Sequence, residues 1–145
     1  MILVDVNVIE DTLEKRKGWK QSLAVLTLAR QRRVAGAISA LTVPILYFLQ
    51  HKPDDIARVN VQVAIKTLVI VDLTATIIAA AFAEQRTNDF EDAIQFYSAK
   101  EAGADIIVTR NKRHFRGFEK EIQVQSPEEF LKEWRRNRSA SVGAR

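Results

Sequence analysis

Asp5 and Asn7 close a short apolar run near the N-terminus, Asp89 and Asp92 stand three apart, and Thr109-Arg110-Asn111 closes a second apolar run far downstream. Three apart on a helix, two carboxylates project from one face of its first turn. Grouped together, Asp5, Asp89 and Asp92 with Asn7 and Asn111 form an all-oxygen donor set. Hard divalent cations, Mg²⁺ or Mn²⁺, take such donors, keeping several waters and binding substrate phosphate beside one or two carboxylates. A cation so held activates water and stabilises charge on phosphate oxygens in an in-line displacement. Each residue also has a plainer reading. Asp89 and Glu91 suit the positive end of a helix dipole, Asp5 suits a turn or cap at a strand end, and Asn111 a left-handed turn position. Asp92 is different, because it lies past the cap beside Phe90, Ala93 and Ile94, where an unpaired buried carboxylate is costly.

These side chains need elements to position them. Ile2 to Val6 reads as a buried strand with a helix starting at Asn7, and Ser22 to Arg32 carries a helical stripe of Leu23, Leu26 and Ala29 widened by Val25 and Leu28. Val34 to Ile38 is a second strand. Leu41 to Gln50 is a helix with Pro44 in its first turn, and Pro53-Asp54-Asp55 opens another. Leu68 to Val71 is a third strand, followed by Asp72 as the cap of an apolar helix from Ala75 to Gln85. Asn88 caps a helix from Asp89 to Ala102, with Glu91 at the capping-box position and Gly103 as the stop. Asp105 to Thr109 and Ile122 to Val124 are the fourth and fifth strands, and Ser126-Pro127-Glu128-Glu129 opens a last helix ending near Trp134. Helices alternating with short apolar strands predict one domain, residues 1–134, around a mainly parallel sheet covered on both faces. In such sheets functional groups gather outside the carboxyl ends of the strands.

Composition removes several classes of function. The chain has 145 residues, 47% of them hydrophobic, and no Cys. It is expected to fold without disulfides, and thiol catalysis and Cys-ligated zinc or iron–sulfur chemistry are excluded. With only His51 and His114, a His-rich metal site is excluded too. The longest apolar run, Ala75 to Ala83, falls far short of the roughly 20 residues that span a bilayer, and the N-terminus lacks a basic leader pattern. A cytoplasmic protein without a membrane partner is expected. The net charge of +4 comes from the end of the chain, where Lys132, Arg135, Arg136, Arg138 and Arg145 face Glu133 alone. Residues 135–145 are expected to form a disordered basic tail able to touch phosphates non-specifically.

Five segments taken in order carry a family resemblance. Val4-Asp5-Val6-Asn7-Val8, Ile38-Ser39-Ala40-Leu41-Thr42, Asn88-Asp89-Phe90-Glu91-Asp92-Ala93-Ile94-Gln95, Val108-Thr109-Arg110-Asn111-Lys112-Arg113-His114-Phe115 and Ser126-Pro127-Glu128-Glu129-Phe130-Leu131 resemble the PIN domain family over residues 1 to about 134. The resemblance implies a three-layer α/β/α fold with about five short strands. It also implies a Mg²⁺- or Mn²⁺-dependent ribonuclease of the VapC-like toxin type that forms a homodimer and is inhibited by a cognate antitoxin. By position, Asp5 becomes the central metal ligand, Asp92 and Asp89 the ligands from the helix, and Asn7, Thr109 and Asn111 supporting polar groups. Arg110, with Lys112 and Arg113, is expected to meet the phosphate of an RNA substrate.

Two positions depart from the family pattern. The acid expected just after Ser39-Ala40-Leu41-Thr42 is replaced by Val43-Pro44, and His114 stands where Asp is expected. Three roles are open to His114: a neutral metal ligand, a base near neutral pH, or an exposed substitute with no role. The loss of two carboxylates also leaves an alternative, a PIN-like domain with impaired catalysis that works as an RNA-binding or protein-interaction module.

Overall fold

Every strand in the protein is short and parallel to its neighbours. The computed structural model describes residues 1–143. Strands β1 (Ile2–Val4), β2 (Gly36–Ser39), β3 (Val69–Val71), β4 (Ile106–Val108) and β5 (Gln123–Gln125) form one sheet in the order β3-β2-β1-β4-β5. Around it lie α1 (Val6–Glu14), α2 (Trp19–Arg30), α3 (Thr42–Leu49), α4 (Asp54–Ile65), α5 (Ala75–Ala83), α6 (Phe90–Glu101) and α7 (Pro127–Gly143). A 3₁₀ turn, Lys112–Phe118, joins β4 to β5 and is not foreshadowed by the sequence pattern.

The apolar sequence of β1 is explained by its two faces. Leu3 pairs with Ala37 and Ile107 and packs in one layer with Phe96, Phe115 and Phe118. Its neighbours Ile2 and Val4 point the other way, into a layer with Ile9, Val25 and Leu46. Two apolar layers on one sheet give the three-layer α/β/α architecture expected, and a sheet buried on both sides needs apolar runs rather than alternation. The chain runs from β1 outward through β2 to β3, then returns to place β4 on the other side of β1. The change of direction therefore falls between β1 and β4, which end at Asp5 and Thr109. Among the described residues, no helix is long and apolar enough to cross a membrane.

Several boundaries differ from expectation, each for a local reason. β1 stops at Val4 because Asp5, extended at φ −74° and ψ 154°, is the N-cap of α1. Thr74, not Asp72, caps α5, its Oγ1 accepting from the Ile77 N–H at 3.2 Å. Asp89, not Asn88, caps α6, its Oδ1 accepting from the N–H groups of Glu91 at 2.9 Å and Asp92 at 3.3 Å. At α7 a reciprocal cap does form: the Glu129 N–H donates to Ser126 Oγ at 3.2 Å and the Ser126 N–H to Glu129 Oε2 at 2.8 Å. α7 then continues past Trp134 to Gly143, so residues 135–143 extend the helix instead of forming a disordered tail. Arg is a good helix former, and Arg138 lies 5.0 Å from the centre of the Trp134 ring, which Arg33 also faces at 4.7 Å. The rest of the expected tail, positions 144 and 145, falls outside the described residues.

Candidate metal centre

Asp5 is buried where β1 ends, and the structure surrounds its carboxylate with donors. Oδ1 accepts from the Val6 N–H at 2.8 Å. Oδ2 accepts from Thr109 Oγ1 at 2.7 Å and from Asn7 Nδ2 at 2.8 Å. Thr109, fully buried after β4, also accepts from the Asn111 N–H at 3.0 Å, and Asn7 Oδ1 accepts from the Arg110 N–H at 2.9 Å. The turn after β1 and the turn after β4 are thereby locked together. Burial pushes the Asp5 carboxyl above the ordinary range, outweighing the three hydrogen bonds that pull it down.

Beside Asp5, the first turn of α6 meets the 3₁₀ turn. One ligand atom each from Asp89, Asp92 and His114 lies within 4.8 Å of the others. His114 Nδ1 is 3.0 Å from Asp92 Oδ2, with the imidazole 34% exposed. These residues line a cleft of about 410 Å³ together with Arg86, Asn88 and Arg113. Burial, then the charges of Asp89 and Asp5, raise Asp92 to about 6 even though His114 opposes them. Burial followed by the charges of Asp5, Asp89 and Asp92 raises Glu91 to about 7. Crowded acids of this kind favour a cation, and two carboxylates with one imidazole are a fitting donor set for a divalent ion.

Glu91 is the residue that the sequence reading assigns elsewhere. As Asp89 takes the cap, Glu91 is released from the capping box and its carboxyl sits in the field of Asp5, Asp89 and Asp92. Its signal in the sequence is a third acid within Asp89-Phe90-Glu91-Asp92. Asp5 faces the Asp89, Asp92 and His114 group without being one of its three members. Of the residues expected at the site, His114 is brought against Asp92 rather than left free at the surface.

Two residues expected at the substrate are engaged elsewhere. Arg110 donates through Nε to Asp11 Oδ2 at 2.8 Å, through Nη1 to Glu128 Oε1 at 2.6 Å, and through Nη2 to the Gly18 carbonyl at 2.6 Å and Ser22 Oγ at 3.0 Å. A guanidinium so fully used is a structural clamp, which corrects its assignment to phosphate. Lys112 donates to both carboxylate oxygens of Glu129, at 2.9 and 2.8 Å, and is likewise occupied. Arg113 is exposed and lines the cleft. Asn111 is exposed with φ −106°, so it does not occupy the left-handed turn position, and its contribution to the site is its backbone N–H. Val43 and Pro44 face away, lining an apolar groove with Tyr47, Val61 and Ile65. Nearby, the buried Thr42 accepts from Gln95 Nε2 at 3.1 Å, a neutral pair.

The model of the family described as PIN domain matches residues 1–113. Comparison with curated proteins finds no match. Among solved structures, the chain is similar to VapBC2 from Rickettsia felis bound to a DNA fragment from their promoter, with 17% identity and a TM-score of 0.60 over 87% of this chain and 98% of that one. It is also similar to a toxin–antitoxin complex from Klebsiella pneumoniae, with 21% identity and a TM-score of 0.62 over 88% of this chain and 98% of that one. At these identities the likeness is one of fold.

Proposed function

The chain belongs to the PIN domain family, and from that premise we propose that it is a divalent-metal-dependent endoribonuclease of the VapC-like toxin type. The observation that carries this reading is the convergence of Asp89, Asp92 and His114 in one cleft, faced by Asp5, at the carboxyl ends of the central strands. Asp89, Asp92 and His114 would hold Mg²⁺ or Mn²⁺. When bound, the cation supplies Lewis acidity toward an RNA phosphodiester and lowers the pKa of water. Thr109 and Asn7 hold Asp5 in a fixed orientation toward the group. Glu91, its carboxyl raised by burial and by the charges of Asp5, Asp89 and Asp92, adds a further acid beside the group. Arg113 on the rim offers a contact for a phosphate oxygen.

The toxin reading brings two partners. A cognate antitoxin is proposed from the toxin–antitoxin complexes that share this fold. A homodimer is proposed from exposed apolar side chains, Phe48 on α3 at 75% and Phe82 on α5 at 74%, which an interface would cover. A second reading, an impaired domain that binds RNA or protein without cutting, draws on the neutral Thr42–Gln95 pair and on His114 in the place of an acid.

Cleavage of a mixed single-stranded RNA in Mn²⁺, Mg²⁺ and EDTA, with Asp5→Asn and Asp92→Asn proteins alongside, separates the two readings. Metal-dependent cutting that both substitutions abolish supports the nuclease. Absence of cutting in either metal, or cutting that the variants share, assigns the chain to the binding class. A binding module keeps its RNA or partner affinity through substitution and chelation alike.

A further inference from the structure

The third donor in the cleft is a nitrogen, and that changes which ion the site prefers. We propose that His114 is a metal ligand through Nδ1 and that it biases the centre toward first-row transition ions, Mn²⁺ included, and away from Mg²⁺. The proposal rests on the metal-centre reading above and deepens it. His114 is held in place by its neighbours, because Phe115 and Phe118 of the same 3₁₀ turn are fully buried against Phe96. The imidazole is thus presented to α6 from a rigid support, as a preorganised ligand requires.

The spacing is compatible with the same role. Adjacent ligands of an octahedral ion with bonds of about 2.1 Å lie about 3.0 Å apart. His114 Nδ1 and Asp92 Oδ2 are separated by 3.0 Å. A ring hydrogen shared between the two atoms accounts for this spacing without a cation. Binding then takes the place of that hydrogen, which moves to Nε2, and no large displacement of either side chain is needed. The selectivity follows from ligand chemistry. Mg²⁺ is served by oxygen donors and negative charge, whereas first-row transition ions also accept imidazole, Mn²⁺ the least strongly among them but more readily than Mg²⁺. Replacing a carboxylate by a neutral nitrogen weakens the hold on Mg²⁺ more than on Mn²⁺. Among the described residues no acid compensates from the α3 side, where Thr42 and Gln95 pair with each other and Val43 and Pro44 line another groove.

The test uses the full-length protein stripped with chelator. Calorimetric titration with Mn²⁺ and with Mg²⁺ gives the two affinities, and electron spin-echo modulation of bound Mn²⁺ reports a coordinated imidazole nitrogen. We expect Mn²⁺ to bind at least about tenfold more tightly than Mg²⁺, with a clear nitrogen signal. His114→Asp should erase the signal, tighten Mg²⁺ binding and narrow the preference, whereas His114→Gln should erase the signal and weaken Mn²⁺. The imidazole is one-third exposed, so both variants should fold, and thermal melts verify it. Mn²⁺ bound without a nitrogen signal, or bound equally well by His114→Gln, overturns the proposal, as does failure to bind Mn²⁺. A nitrogen signal without RNA cleavage overturns the ribonuclease reading and leaves the ligand assignment standing. Cleavage with no nitrogen signal does the reverse.

Discussion

Thr109 and Arg110 are adjacent at the end of β4, yet they face two different charge environments. On the Arg110 side, Asp11 and Glu128 share one guanidinium, Ser22 Oγ donates to Asp11 at 2.9 Å, and Arg16 Nε lies 3.5 Å from Asp11. Burial alone would raise Glu128, but the hydrogen bond from Arg110 prevails and holds it below the usual carboxylate range. On the Thr109 side, Asp5, Asp89, Glu91 and Asp92 crowd together, and the last two rise to about 7 and 6. The first cluster is balanced and rigid. The second carries more negative charge than its own residues neutralise, the pattern of a candidate functional site rather than of a scaffold built of the same residue types.

The contrast is sharpest in stability. Arg110→Met should cost about 3–5 kcal/mol, because it strands Asp11 as a buried charge without its main partner. Urea denaturation measures this, and a double variant with Asp11→Asn should recover part of the loss. A cost below about 1 kcal/mol would mean that the clamp is not structural. Asp92→Asn should behave in the opposite way. Metal-dependent cleavage should fall by about a hundredfold or more, while stability in chelator holds or rises as like charges are relieved. Thr109→Val probes the hinge between the two clusters and should cost about 1–2 kcal/mol by removing a buried donor from Asp5.

The smallest expected effect is a difference in pH dependence, read as melting temperature in chelator. Asp92 and Glu91 have folded-state values above their ordinary 3.8 and 4.5, so the native state binds the extra protons. Their contribution is greatest below about 4 and is lost as pH rises toward 7. Glu84 runs the other way, since hydrogen bonds from Arg86 hold it at about 2. Its contribution is present above 4.5 and is lost as pH falls toward 2. Asp92→Asn with Glu91→Gln should flatten the upper limb alone. Glu84→Gln should flatten the lower limb alone.

What could be read from the sequence followed from local pattern. Strands β1 to β4 lie in short apolar runs, β5 is marked only by Ile122 and Val124, and the alternation with helices leaves a parallel sheet as the natural outcome. Asp5, Asn7, Asp89, Asp92 and Thr109 were legible because they sit at strand ends or in a first helical turn. The partners of Arg110 were not, since Asp11, Ser22 and Glu128 come from three separate helices or helix ends distant along the chain. The 3₁₀ turn has no repeating period to reveal it. Glu91 was hidden by a single-residue shift of the helix cap, and the length of α7 by a composition that suits a solvated helix as well as a loose end.

The central strand cannot be seated until its partner far downstream has been made. β1 needs β4 beside it, with Ile2 opposite Ile106, and the donors that orient Asp5 include Thr109. Contacts so distant along the chain make folding wait on synthesis. His114 and its anchors Phe115 and Phe118 emerge later still. The cleft therefore cannot form before residue 118 has been made, and a shorter fragment of the domain would lack the candidate site altogether.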